Sequence, residues 1–243
     1  MSNHVRTAAY AASQALSAKG LAIKRSHLTE IIAALLGYRT HAALSVEEAD
    51  STLDYHLDDA EILVLNLPMG EARAEEIGLS ALGVSTSVIT TACIDALRAN
   101  ADSKSVYVGV ADFYDSYASQ ALAEVIYFDD DVSGAMSESN AVFPDAPEME
   151  SEHLPTDDLW TTVGEWAIEA TGVMTGEYDP EGDRMFNGDT LSCQGRLLYS
   201  KAGRAGLVFV EASAMAGADD SWRDLDYEAE LAFQQSQEGR ETP

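Results

Sequence analysis

Residues 191–210 read LSCQGRLLYSKAGRAGLVFV, and their spacing is that of a β-hairpin. Leu191, Cys193, Leu197 and Tyr199 share one parity, so a pleated strand puts them on one face. Gly203-Arg204-Ala205-Gly206 has turn composition, and Leu207 and Phe209 resume the apolar positions beyond it. Upstream, Trp166, Ile168 and Ala170 alternate with Glu165 and Glu169. We therefore expect an antiparallel β unit over 159–217, of three to five strands, with 176–188 as a long polar hairpin loop.

Nothing before it has that period. Val5, Ala9, Ala12 and Leu16 recur at helical spacing, and Gly20 is placed to end that helix. Ser26 can cap a second helix whose apolar side is Leu28, Ile31, Ile32, Leu35 and Leu36, with Gly37 as its left-handed C-terminal cap. A short third helix from about Thr40 would bury Ala43 and Leu44. These make a helical module over 1–46. In 47–128, Ile62-Leu63-Val64-Leu65 is a buried strand or the end of a helix, too short for periodicity to decide, and Pro68 and Gly70 end it. A helical stretch around 71–77 follows. A clear amphipathic helix, capped by Ser85 or Thr86, then buries Val88, Ile89, Ala92, Cys93, Ala96 and Leu97. Ser105–Val110 is a strand candidate, and from Ala111 the spacing of Tyr114, Tyr117, Ala118, Ala121, Leu122 and Val125 predicts a further helix. The expected class is α+β: helical N-terminal and middle regions, then a small antiparallel sheet.

Between these parts, 129–158 is rich in Asp, Glu and Pro without Lys or Arg, the composition of an acidic linker or loop. The acidic tail, 218–243, has room for a last helix around Leu225, Leu231 and Phe233.

Charge is the most uneven property of the chain. Its 243 residues carry 42 acidic against 14 basic side chains, a formal charge of −28. Before Glu47, however, the one acid is Glu30, against Arg6, Lys19, Lys24, Arg25 and Arg39. A basic head thus precedes a body holding more than the whole net negative charge, which repels phosphate backbones and anionic lipids. No apolar run reaches the roughly 18 residues of a membrane span. No signal-peptide core is visible, and Cys93 and Cys193 read as reduced thiols, so a cytoplasmic location is expected.

Catalytic signatures are missing. There is no GxSxG, no GxxxxGK[ST] and no GxGxxG after a strand, and His4, His27, His41, His56 and His153 form no HxH or HxxxH pair. No catalytic residue, metal or cofactor is assigned. Asp179, Glu181 and Asp183 alternate as calcium-loop ligands do, but Pro180 interrupts them and Thr190 stands where the bidentate Glu belongs. The head has the outline of a helix-turn-helix, yet SHLTEIIAALLG offers no basic or amide side chains to base edges, so docking on protein is the better expectation.

Two stretches resemble known sequences. RSHLTEIIAALLGYRTHAAL, through Ser26, His27, Glu30, Ala33, Ala34, Gly37, Tyr38, Ala43 and Leu44, resembles a short helical module of uncharacterised bacterial plasmid and integrative-element proteins. Some of these are labelled glyoxalase-superfamily-related. TGEYDPEGDRMFNGDTL, with the later GRAGL, is similar to a β unit of such proteins through Gly176, Glu177, Asp179, Asp183, Arg184, Phe186, Gly188 and Asp189. The resemblance implies an accessory protein of a bacterial mobile element and attaches no reaction to it. The expectation is a non-enzymatic interaction or adaptor protein with a protein partner, a basic one included, meeting it through Arg25, His27, Tyr38 and Arg39. The alternatives are an acidic nucleic-acid mimic that inhibits a basic DNA-binding protein, and an enzyme whose site assembles only in space.

Overall fold

In the computed structural model, which describes residues 3–79, 85–101, 103–138, 141–150, 158–178 and 190–218, the chain is α+β. Two compact units divide it. The first comprises Met1–Leu122, Glu150–Ala170 and Arg196–Ser213, and the second Ala123–Met149, Thr171–Gly195 and Ala214–Pro243.

The first unit opens with α1 (Asn3–Ala18), α2 (Arg25–Leu35) and α3 (His41–Glu47). Helix α2 starts two residues earlier than expected: its N-cap is Lys24, without a side-chain cap bond, and Ser26 lies inside the first turn. Its end is as expected. Gly37 has φ +86°, its N–H donates to Ala34 O at 2.9 Å, and the Tyr38 N–H donates to Ala33 O at 2.9 Å. This paired closure satisfies carbonyls the helix would leave open and needs a left-handed residue, which glycine supplies without strain. Thr40 caps α3 by accepting the Ala43 N–H at 3.1 Å. Of the two residues expected to be buried there, Leu44 is in the core and Ala43 faces solvent.

The run 62–65 is strand β1, with all four side chains buried. It pairs in parallel with β2 (Ser105–Val108) and antiparallel with β8 (Gly206–Ala218), matching Ile62 to Ser105 on one side and to Leu207 on the other. Leu63 and Leu65 enter the core made by α1, α2 and the helices between β1 and β2. The intervening Ile62 and Val64 take the opposite face. A strand covered on both faces has no reason to alternate, which is why periodicity could not identify it.

Pro68 and Gly70 do not terminate the strand; they lie in α4 (Leu67–Glu76). Asn66 caps that helix by accepting the Met69 N–H at 3.0 Å, and Pro68 in the first turn needs no N–H partner. Gly70 is there because α2 passes so close: a Cβ on it would stand 2.5 Å from Leu35 Cδ2 and 2.8 Å from Leu35 Cγ. Gly70→Ala is therefore expected to destabilise by about 1–3 kcal/mol through overpacking, against about 1 kcal/mol of helix propensity gained. In urea unfolding, Gly70→Ala combined with Leu35→Ala should cost less than the sum of the two single changes. Strict additivity would refute the close approach.

Helix α5 (Thr86–Ala99) buries Ile89, Ala92, Cys93, Ala96 and Leu97 as read; Val88 is instead exposed, while Thr90 and Ile94 are buried. After β2 come α6 (Gly109–Phe113), a π turn over Tyr114–Ala118, and α7 (Ser119–Phe128). The open edge of β2 is blunted by side chains. Arg98 Nε donates to Val106 O at 3.4 Å, the Val108 N–H donates to Asp112 Oδ2 at 2.7 Å, and Arg98 meets Asp112 at 3.8 Å.

The acidic stretch read as a linker contains α8 (Asp130–Glu138). Asp129 Oδ1 accepts the N–H of Asp131 at 2.9 Å, capping the helix, and Val132 is buried. A single cap and a few apolar contacts outweigh composition here. In the second unit Val132 packs with Ile126, Phe143, Met174, Leu191 and Cys193. Short strands β3 (Ala141–Val142) and β4 (Glu148–Met149) pair with β6 (Glu177–Tyr178) and β5 (Glu165–Thr175) respectively. Strands β5, β7 (Thr190–Ala202) and β8 are the antiparallel core read from the sequence. Among the described residues one sheet runs in the order β2-β1-β8-β7-β5-β4. Cys93 and Cys193 are both buried and unbridged. The alternating acids 179–183 and the tail helix lie outside the described residues.

Candidate functional site

The β7–β8 turn is locked to the end of α2 through one tyrosine. Tyr38, fully buried, donates from its hydroxyl to Glu47 Oε1 at 2.6 Å and accepts the Arg204 N–H at 3.1 Å. The Arg204 guanidinium lies over the Tyr38 ring at 5.2 Å, donates to Gly37 O at 3.3 Å and reaches Glu47 at 3.8 Å. Burial first, and the Glu47 hydrogen bond second, push the Tyr38 phenol well above its ordinary pKa, so it remains a donor. Gly37 also leaves room here: a Cβ would meet Trp160 Cδ1 at 3.0 Å and Arg204 Cβ at 3.1 Å. Trp160 is held from the sheet side by donating from Nε1 to Val64 O at 2.8 Å.

Around this latch opens a cleft of about 520 Å³, formed by the residues after α3, by 160–164 and by the β7–β8 turn. Leu53, Tyr55, Trp160 and Val163 supply apolar surface, and Glu47, Asp50 and Asp54 supply carboxylates. A second depression, lined by Ala42, Ala43, Val46 and Ala49, adjoins it through the shared Glu47 and Asp50. Val46, in the second depression, is 74% exposed and Val163, in the cleft, 88% exposed, so each depression carries a bare apolar side chain among polar ones.

One wall of the cleft holds Lys201, 9% exposed and the one buried charged side chain among the described residues. Its backbone N–H donates to Gly164 O at 2.7 Å, and Nζ donates to Arg204 O at 2.7 Å. No carboxylate among the described residues comes within ion-pair distance of Nζ. Desolvation dominates its titration: burial draws the ammonium down to about 7, with Asp158 and Glu47 opposing more weakly.

The residues singled out from the sequence fall elsewhere, apart from Tyr38. Arg25 is exposed and lines an open depression with Arg6, Thr29 and His41, beside Glu30, which accepts from Arg73 at 2.7 Å. His27 is half-buried and Arg39 exposed, and neither lines that depression. Tyr38 is a core residue whose hydroxyl is already committed on both sides, so it presents nothing to a partner. Sequence reasoning missed the cleft, although one signal was present. Lys201 continues the parity of Leu191, Cys193, Leu197 and Tyr199, and a lysine on the inward face of a strand is a departure to follow.

No family model matches this sequence, and neither a curated protein nor a solved structure is similar to it beyond chance.

Proposed function

We propose that the chain is an interaction protein whose α3–cleft face receives a basic, partly apolar segment of another protein. The observation that carries this is the exposure of Val46 and Val163 on a face rimmed by Glu47, Asp50 and Asp54. Covering one such valine is worth about 1.5–3 kcal/mol, and a bare apolar face with a polar rim is the usual form of a docking surface. Charge decides the partner's sign. A chain at −28 attracts cations and repels anions, so arginines or lysines are expected to flank the apolar side chains that enter the cleft. The same charge makes encounter fast and salt-sensitive.

The test is chemical-shift mapping on the full chain with a synthetic peptide carrying a Leu-Phe pair between arginines. Shifts concentrated in 42–55 and 160–164, weakened at least about tenfold by Val46→Asp with Val163→Asp and by raised salt, are expected. Both positions are exposed, so the double variant should fold. Shifts centred on other surfaces, or binding unchanged in the double variant, would sink this reading.

A further inference from the structure

The buried amine of Lys201 is unexplained by docking. A hairpin lysine that only braced its turn would keep its ammonium in water and lend its stem to packing. Lys201 does the reverse, with the head inside and one backbone acceptor, Arg204 O, at 2.7 Å. One acceptor suffices for a neutral amine, which keeps its lone pair free. An ammonium there has Arg204 O as its one hydrogen-bond acceptor among the described residues, so its charge is poorly compensated by the protein. The cleft beside it has room for a small organic molecule, with the Trp160 and Tyr55 rings along its walls.

We propose that Lys201 is a reaction site for a small uncharged aldehyde or ketone, which its amine captures as an imine. The Nζ lone pair attacks the carbonyl carbon while the C=O electron pair moves to oxygen. A proton passes from nitrogen to that oxygen through water, giving a carbinolamine. The C–O bond then breaks as the C=N bond forms, and the hydroxyl leaves with a proton as water. Amine plus carbonyl gives imine plus water, with no oxidant or reductant. The amine's readiness near neutrality follows from its burial. The class of ligand follows from the walls: Glu47, Asp50 and Asp54 outnumber Arg204, itself 3.8 Å from Glu47, and disfavour a carbonyl compound that carries a carboxylate or phosphate, while Trp160, Tyr55 and Leu53 favour an apolar or aromatic body.

This does not rest on the docking proposal, and its test contains no peptide. The folded chain is treated briefly at pH 7 with benzaldehyde and sodium cyanoborohydride, which reduces any imine to a stable benzyl-lysine, and the modified lysine is located by peptide mass spectrometry. The sequence has four lysines, so Lys19, Lys24 and Lys104 are internal references. Lys201 is expected to be modified on the order of tenfold faster than any of them, because its neutral fraction at pH 7 is far larger. A parallel reaction with 4-formylbenzoate, the same aromatic aldehyde with an added ring carboxylate, should be slower at Lys201 relative to the reference lysines. If Lys201 reacts no faster than the exposed lysines, or only after denaturation, it is a structural residue and the proposal is wrong. If 4-formylbenzoate is captured at Lys201 as readily as benzaldehyde, relative to the reference lysines, the assignment to an uncharged ligand is wrong.

Discussion

Tyr38→Ala is expected to unfold the first unit at markedly lower denaturant, with a loss of about 3–5 kcal/mol from the ring alone. The ring is fully buried between the end of α2 and the β7–β8 turn. Its removal leaves the Arg204 N–H without its acceptor, Glu47 without its 2.6 Å donor and the guanidinium without the ring beneath it. With total stabilities of about 5–15 kcal/mol typical, the variant should be marginal at 37 °C. Tyr38→Phe separates the parts: it keeps the ring and should cost about 1–2 kcal/mol, the worth of the hydroxyl's two bonds. Urea midpoints followed by far-ultraviolet circular dichroism measure both. If Tyr38→Ala unfolded with the midpoint of the unaltered chain, the latch would be ornamental. A loss of partner binding in Tyr38→Ala would report this unfolding rather than a docking contact.

The second large effect is a pH dependence. Lys201 titrates at about 7 in the folded chain, against an ordinary value of 10.5. A lysine whose folded pKa is lowered binds fewer protons folded than unfolded between those two values. Stability therefore rises with pH across the window from 7 to 10.5 and is flat below it. Between pH 7 and 8.5 the gain amounts to about 1.5 kcal/mol, because the folded amine is half deprotonated at pH 7 and almost fully so at pH 8.5. Lys201→Met keeps the stem's volume and deletes the titration. It should be the more stable protein at pH 7, with the difference shrinking by that amount at pH 8.5. Cys93, pushed up to about 12 by burial, acts with the opposite sign above pH 9, but it is common to both proteins and cancels from their difference. Its folded form keeps a proton the unfolded chain gives up. A difference between the two proteins that is constant from pH 7 to 8.5 would show that Lys201 is solvated.

Local elements were legible where one face of an element meets water. The apolar side of α2, the Gly37 terminator, the Thr40 cap and the 203–206 turn follow from positions a few residues apart. Gly70 shows the opposite case. As sequence it reads as a breaker, but it is a helix residue whose missing side chain admits Leu35 from 35 positions away. The helix α8 shows another, since ten acids suggested a linker and one capped turn with Val132 buried made a helix.

The amino-acid sequence by itself determined the class of fold, the helical character of the first part, the β5–β7–β8 strands of the last and the steep change of charge at Glu47. Each is local, written in spacing or composition. Tertiary structure alone decided that β1 and β2 join the sheet of the C-terminal strands, because β1 is buried on both faces and carries no alternation to read. It also decided where chemistry gathers. Glu47, Trp160, Lys201 and Arg204 come from three separated segments, and it is the β1–β8 pairing and the Tyr38 latch that bring those segments together. Burial sets the state of the Lys201 amine, and burial belongs to the folded surroundings rather than to the residue.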